Sequence, residues 1–341
     1  MTRLRVIYVG NQLSGHGFTP TSIETLGERL KEDFDVIQTS SYKNMALRLM
    51  HMWWTVWRWR KADYLLIDTY STSAFFFAWT CAKLASWVAL RYIPILHGGD
   101  LPQRAAASPE RVSKYLKRAF KVICPSPYLK EEMEKVIPLD YTIIPNAIEL
   151  EDYSFELRSS LPSSSFKILW VRSFHKTYNP TLAIKVLKAL HDKGYDQTEL
   201  CMVGPDKDGS MKGIQTLARD LGVENKLKLT GRISKLDWLN LSTGFDVFMN
   251  TTQIDNTPVS VVEALALGLP VVTTNVGGIP HLLKSGTNAL LVEPDNPQAF
   301  IDAFLSLQDD EYYEKLSRNG RVLAETFSWE KVSVKWNKIL Q

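Results

Sequence analysis

Cysteine is scarce: three in 341 residues, Cys81, Cys124 and Cys201. They are far apart, odd in number and never paired at a metal-ligand spacing. That excludes a disulfide framework and a Cys-x-x-Cys metal site. The first residues, MTRLRVIYVGNQLSG, contain an apolar stretch too short for a secretory leader and read instead as a first core strand. Reduced, buried thiols of a cytoplasmic protein are expected. A dominant charge is also missing. Forty Lys and Arg against 37 Asp and Glu leave a net charge of +3, too little to argue for nucleic acid as a partner. No uninterrupted apolar run could span a bilayer. The longest, Ser73 to Leu90, carries Lys83 at its centre, which a spanning helix of about 20 apolar residues rarely tolerates. It reads as a buried helix of an α/β layer. No His, Cys or carboxylate cluster has ligand spacing, so no metal and no resident cofactor are expected. No short internal period is present, which excludes a solenoid.

What remains is an ordinary globular composition, 45% hydrophobic and 23% charged, in a chain long enough for two domains. Strand-like runs (RVIYVG, DVIQTS, YLLID, YIPILH, KVICPS) alternate with helical patterns such as Ile23 to Asp33 and Pro109 to Phe120. This alternation predicts a parallel sheet covered on both faces. Residues 146–166, NAIELEDYSFELRSSLPSSSF, are Ser-rich and lack periodicity, so they read as a linker. A second α/β series follows, from FKILWVRS through TELCMVGP, KLKLTG, DVFMNTT and PVVTTN to NALLVE. The expected domains are 1–155 and 160–326. A last helical pattern, 327–341, comes after the second series is complete. Ligands of open α/β sheets bind beyond the carboxyl ends of the strands. The loops after IYVG and PILH should therefore face those after LWVR, CMVG and FMNTT across one cleft.

The richest segment is DNTPVSVVEALALGLPVVTTNVGG, residues 255–278. After Asp255 it carries a single charged side chain, Glu263. Thr257 suits an N-cap and Pro258 the first helical position, followed by helix from Val259 to Leu267 and a stop at Gly268 and Pro270. Glu263 thus lies in the second turn, behind free backbone N–H groups that attract anions. An ionised carboxylate in so apolar a run must be paired. It either meets a Lys or Arg or backbone amides, or it accepts hydrogen bonds from a polyhydroxyl ligand whose phosphates sit at the helix start. Three weaker features accompany it. The loop GNQLSGHGFTP, with Gly15 and Gly17, is either a flexible turn or a close approach to substrate. It fails the dinucleotide fingerprint, and DVIQTS lacks the acid that would hold a cofactor ribose, so a dinucleotide oxidoreductase is disfavoured. His97, before two glycines at a strand end, is either structural or ligand-facing. Arg172 and Lys176 in VRSFHKTYNP are either solvated loop cations or a diphosphate clamp.

Jointly these features resemble the family-4 retaining glycosyltransferases of the GT-B fold, α/β proteins with two Rossmann-like, doubly wound domains facing a central cleft. The resemblance covers nearly the whole chain. It is strongest over residues 255–300, with two acids separated by seven residues, Gly-x-Pro-Val-Val, Gly-Gly and a Gly-x-Asn-Ala turn. LHGGDLPQR, SPYL with IPNAI, and MVGPD (Gly204) match too. The resemblance implies that Glu263 binds the ribose of a nucleotide-sugar and that Asp255 touches the donor sugar. Backbone N–H groups around Pro258, Val259 and Ser260 would hold the diphosphate with Arg172 and Lys176. His97 would contact the transferred sugar, and the loop of Gly15 and Gly17 would lie under the diphosphate near the acceptor. Residues 327–341 would pack back on the first domain. Two departures stand out. The first acid is Asp255 where the family usually has Glu. Arg172 and Lys176 are four apart rather than five or six, so His175 or Tyr178 could share the place of Lys176.

The implied reaction transfers a hexosyl group from a nucleoside-diphosphate sugar to a hydroxyl of a saccharide or lipid-linked acceptor, without metal. No carboxylate is evident as a nucleophile in the first domain, which favours a front-face path. Two alternatives are a sugar-nucleotide epimerase of the same architecture and a non-catalytic two-lobed sugar-binding protein. One further feature is NMALRLMHMWWTVWRWRKAD, residues 44–63, with Trp53, Trp54, Trp57 and Trp59. Arg48, His51, Thr55 and Arg58 fall on one helical stripe. Either this helix packs on the first sheet in the ordinary way, or it contacts an anionic membrane at its inner face.

Overall fold

The computed structural model describes residues 3–16, 20–162 and 165–341. It contains two α/β units. Unit 1 comprises residues 1–147 and 329–341, and unit 2 residues 148–328. The division falls at Ala147, earlier than the expected 155.

In unit 1, six strands form one sheet: β1 (Arg5–Val9), β2 (Asp35–Thr39), β3 (Tyr64–Tyr70), β4 (Tyr92–His97), β5 (Val122–Cys124) and β6 (Tyr141–Ile143). Their spatial order is β2-β1-β3-β4-β5-β6, and every pairing is parallel. The chain leaves β1 toward one edge and returns on its other side at β3, so the order reverses between these two strands. β3 and β4 are buried along nearly their whole length, as expected of near-continuous apolar runs covered on both faces. The C-terminal helix Trp329–Leu340 belongs to this unit. It buries Val332, Trp336 and Leu340 against Val6, Tyr8, Ile93 and Ile123.

Two helices of unit 1 depart from expectation. Met45–Arg58 is capped by Asn44, whose side chain accepts from the amides of Ala46 and Leu47. The expected polar stripe points inward rather than out. Arg48 and Thr55 are buried, and His51 is half-buried. Arg48 donates to the carbonyls of Tyr42 and Lys43 and to Asn11, while His51 Nδ1 lies 2.9 Å from Ser40 Oγ. The loop beneath satisfies these polar groups, and the tryptophans are left outside. Helix Phe75–Trp87 buries one face only, and Lys83, Phe76 and Trp87 are exposed. Among the described residues no helix is long and apolar enough to cross a membrane.

Unit 2 repeats the architecture. Its strands are β7 (Lys167–Val171), β8 (Glu199–Val203), β9 (Leu227–Gly231), β10 (Val247–Asn250), β11 (Val271–Thr274) and β12 (Leu290–Val292), in the order β12-β11-β10-β7-β8-β9. All pairings are again parallel, and the order reverses between β7 and β10. The segment expected to be a linker is partly built into this unit. Ile148 donates its N–H to the Phe327 carbonyl at 2.9 Å and bridges Ser328. Tyr153 is buried after a 3-10 turn over Leu150–Asp152, and Leu161 is buried too. All three cysteines are buried free thiols, and burial pushes Cys81 and Cys124 up to about 12 and Cys201 to about 11.

Candidate functional site

In unit 2 the site-forming loops emerge from the carboxyl ends of β7, β10 and β11, at the point where strand order reverses. Hydrogen bonds stitch them together. The loop after β10 bonds the one after β7 through Gln253 N–H to Thr177 O (2.8 Å) and Thr251 Oγ1 to Tyr178 O (2.8 Å). The loop after β11 closes on the same segment through Gly278 N–H to Asp255 O at 2.7 Å. A Cβ on Gly278 would lie 2.0 Å from the Asn256 carbonyl oxygen, so the Gly-Gly pair is needed for this close packing. Gly204 has the same kind of role. A Cβ there would lie 1.9 Å from the Arg172 carbonyl oxygen, and this approach alone accounts for glycine after β8.

These loops bring Arg172 and Asp255 together. The guanidinium donates to the Asp255 carboxylate and lies 4.9 Å from the Tyr178 ring centroid. Asp255 also accepts from the Asn256 N–H at 2.9 Å. Burial pushes the Asp255 carboxyl above its ordinary value, and Arg172 and the Asn256 amide only partly offset this. Arg172 is therefore a paired cation rather than a free one. Lys176 stands apart. It is exposed on a 3-10 turn whose backbone is tied to Asp208 by a 2.9 Å bond, and among the described residues its ammonium has no ion-pair partner. The unusual spacing places Tyr178, not Lys176, against Arg172.

Helix Val259–Ala266 starts one residue later than expected. Pro258 is the N-cap, with an extended ψ of 109°, and its carbonyl accepts from the amides of Val261 and Val262. No side chain caps the first turn. Ser260 Oγ is buried there without a hydrogen-bond partner among the described residues. Among the described residues Glu263, one turn on, meets neither a cation in direct contact nor a backbone amide. It accepts from the Tyr153 hydroxyl. Burial raises its pKa, opposed first by Tyr153 and then by the charges of Lys235 and Arg172. Lys235, at the start of helix Lys235–Ser242, lies 4.8 Å from the Tyr153 ring centroid and 2.9 Å from Asp152. Tyr153 and Lys235 escaped the sequence reading. Tyr153 sits in the aperiodic Ser-rich segment, and only its aromatic character among acids could have singled it out.

Unit 1 holds a second polar group, also where strand order reverses. His97 ends β4, and its Nε2 donates to Asp68 Oδ1 at 2.8 Å. The same oxygen accepts from Tyr8 OH at 2.9 Å, and the imidazole stacks on Tyr70 with centroids 4.9 Å apart. A carboxylate only accepts, so Nε2 carries a proton. Asp68 Oδ2 is buried beside Gly10 without a hydrogen-bond partner among the described residues. This carboxylate, unforeseen in the first domain, is committed to Tyr8 and His97. Gly15 lies in a 3-10 turn, Ser14–His16, tied to helix Ser22–Leu30 by Ser14 N–H to Glu24 at 3.0 Å. Glu24 also closes a capping box with Thr21, so the first turn of this helix is already occupied by a carboxylate. Gly17 lies outside the described residues. Among the described residues, no group of three or more His, Cys, Asp or Glu side chains could hold a metal ion.

Comparison with known proteins agrees with this layout. Residues 3–152 match the Glycosyltransferase Family 4 model, and residues 155–323 match that of Glycosyl transferases group 1. A UDP-Gal:alpha-D-GlcNAc-diphosphoundecaprenol alpha-1,3-galactosyltransferase of Escherichia coli is 24% identical over 77% of this chain and 71% of its own. A D-inositol 3-phosphate glycosyltransferase of Corynebacterium glutamicum is 25% identical over 50% of this chain and 41% of its own. Among solved structures, the sucrose-phosphate synthase of Thermosynechococcus elongatus superposes with a TM-score of 0.76 at 16% identity, covering 99% of this chain and 98% of its own. HepE of Anabaena in complex with UDP and glucose gives 0.74 at 15% identity, covering 99% of both chains. With its two parallel sheets, and with the two family matches together spanning nearly its whole length, the chain belongs to the GT-B glycosyltransferases of family 4, group 1.

Proposed function

We propose that this enzyme transfers a hexosyl group, with retention of anomeric configuration, from a nucleoside-diphosphate sugar to a hydroxyl of a saccharide or lipid-linked acceptor. The transfer would serve synthesis of a cell-surface polysaccharide or glycolipid. One observation carries the donor assignment: among the described residues, an uncapped helix start with an unpartnered, buried Ser260 Oγ is followed one turn later by a Glu263 carboxylate held by a single tyrosine. Backbone N–H groups of Val259 and Ser260 and the positive end of the helix suit a diphosphate. Glu263 suits a ribose diol, because its remaining acceptor sites are free to take hydroxyl protons.

Arg172 has five N–H donors, so it can meet a phosphate oxygen while keeping Asp255. Asp255 then positions the donor sugar. In the proposed step the acceptor oxygen attacks the anomeric carbon as its bond to the diphosphate oxygen breaks. The acceptor proton passes to a donor phosphate oxygen on the same face. Charge grows on the leaving diphosphate, and Arg172, Lys176 and the helix start stabilise it most in the transition state. Metal independence is part of this proposal and rests on those cations. His97, fixed by Asp68, would accept a sugar hydroxyl through Nδ1. Asp68, already bonded to Tyr8 and His97, is not offered as a nucleophile. The reading is of a cytoplasmic enzyme, supported by three buried thiols.

UDP is the first nucleotide to test, since the galactosyltransferase relative is named for a UDP-sugar and HepE was solved with UDP. Calorimetry with UDP, GDP and ADP identifies the base. UDP-sugars are then supplied with simple glycosides and polyprenyl-diphosphate saccharides, in EDTA, and the anomeric coupling of the product is read by NMR. An α-linked product from an α-linked donor is expected. Inversion would refute retention, and activity restored only by added magnesium or manganese would refute metal independence.

A further inference from the structure

Helices Met45–Arg58 and Phe75–Trp87 lie side by side, joined by Trp53 Nε1–H to Thr80 Oγ1 at 3.1 Å. Their outer faces are aromatic. Trp54 is 55% exposed and Trp57 50% exposed. With Trp53, Trp79 and Leu84 they line an apolar groove of 530 Å³ that reaches Lys83. A second hollow of 140 Å³ adjoins it, sharing Trp79 and Lys83 and extending to Lys114 and Arg118. Lys83 stands where the two meet, its Nζ 4.5 Å from the Trp79 ring centroid, with the Arg111 guanidinium 5.1 Å from the same centroid. One hollow is thus greasy, its neighbour is cationic, and a lysine joins them.

The charge lining the two hollows has one sign. No Asp or Glu occurs from Val36 to Ala62, nor from Thr69 to Gly99. Exposed indoles beside Lys and Arg match the chemistry of a bilayer interface, where the ring sits at head-group depth and the cation meets lipid phosphate. A protein partner covering the apolar groove would have to bury Lys83 as well, with no carboxylate among the residues lining either hollow. An anionic lipid satisfies both hollows at once.

We propose that this face is a binding site for anionic phospholipid of a bilayer. The head-group phosphate sits among Lys83, Lys114 and Arg118, and an acyl chain lies along the tryptophan groove. The site does not depend on the transfer reaction, because vesicle binding is read without donor or acceptor. The full chain would be sedimented with phosphatidylcholine vesicles with and without phosphatidylglycerol, at low and high salt. Vesicles with lipid brominated in the chain would report indole depth by fluorescence quenching.

The wild type should prefer the anionic vesicles, lose binding with salt and be quenched. Each cation near such a surface contributes about five-fold in affinity, so Lys83→Ala/Lys114→Ala should weaken binding about 25-fold. Trp54→Ser/Trp57→Ser should bind more weakly and be quenched less, with Trp53 and Trp79 left in the groove. All four side chains are exposed, so thermal melts of both variants should match the wild type. Three results would each overturn the proposal: no sedimentation with anionic vesicles at low salt, equal sedimentation with and without phosphatidylglycerol, or wild-type binding by the lysine variant. Inorganic phosphate displacing the protein from vesicles at unchanged ionic strength would also count against it, because the site would then take the free ion rather than the lipid.

Discussion

Among the described residues Glu263 has one hydrogen-bond partner, Tyr153, and burial raises its pKa against the opposing charges of Lys235 and Arg172. A carboxyl whose pKa is raised by folding favours the fold while protonated, below the ordinary Glu range near about 4.3. It loses that contribution as pH rises through the folded value. Glu263→Gln should therefore melt higher than wild type at neutral pH, with the difference vanishing as pH falls below 4.5. The same change should weaken nucleoside diphosphate binding by about ten-fold or more, since a hydrogen bond to a charged group is worth roughly 1.5–3 kcal/mol. Melting curves across pH, set beside calorimetry, check both. An unchanged affinity would remove Glu263 from the nucleotide site. In the proposed reaction Asp68 would act through His97, as a positioning residue. Asp68→Asn no longer demands a proton on His97 Nε2, so kcat should fall and its pH profile shift while nucleotide affinity stays the same. An unshifted profile would leave Asp68 a purely structural group. This pairing was illegible in the sequence, because the partners come from neighbouring strands and lie 29 positions apart. The Asp255–Arg172 pair was likewise hidden, although each member was singled out alone.

At the level of elements, most strands were legible, because β-branched runs are punctuated by Gly and Pro. β7, β8, β10 and β11 all begin within a residue or two of such runs. β6 escaped: at three residues, Tyr141–Ile143, it carries no period to read. The orientation of Met45–Arg58 was left open by the sequence for a different reason. Polar residues at helical spacing normally face water, but here a loop supplies Arg48 and His51 with partners and turns that face inward. The Gly-Gly loop after β11 makes an element-scale prediction. Gly278→Ala places a methyl against the Asn256 carbonyl and must displace the segment carrying Asp255. Overpacking of this kind costs typically about 1–3 kcal/mol. A lowered melting temperature is expected together with slower transfer, since a displaced Asp255 no longer positions the sugar. Normal rates in a destabilised protein would show that the glycine serves packing alone.

For the molecule as a whole, the second unit lies inside the first in sequence, and the last helix completes the core of unit 1. Truncation after Ser328 removes Val332, Trp336 and Leu340 from that core. Fully buried side chains of this size contribute about 1.5–3 kcal/mol each, a large part of the roughly 5–15 kcal/mol that keeps a domain folded. The truncated chain should lose protection of the amides of β1 and β3 in hydrogen exchange, while those of β7 and β10 stay protected. Loss at β7 as well would show that unit 2 needs unit 1 to fold.

Ile148 and Ser328 mark the beginning and end of unit 2, yet they form a bridge, and the Ile148 amide bonds the Phe327 carbonyl. The two ends of a 181-residue stretch therefore meet at one point. For gene architecture this makes residues 148–328 an insertable cassette, since a graft with adjoining ends can replace it without stretching the host on either side. Exchange of the whole inner segment would then test whether donor preference travels with unit 2, with the helices of unit 1 left untouched. Laboratory chimeras cut at these two positions, rather than at the serine-rich stretch near residue 160, are the ones expected to fold.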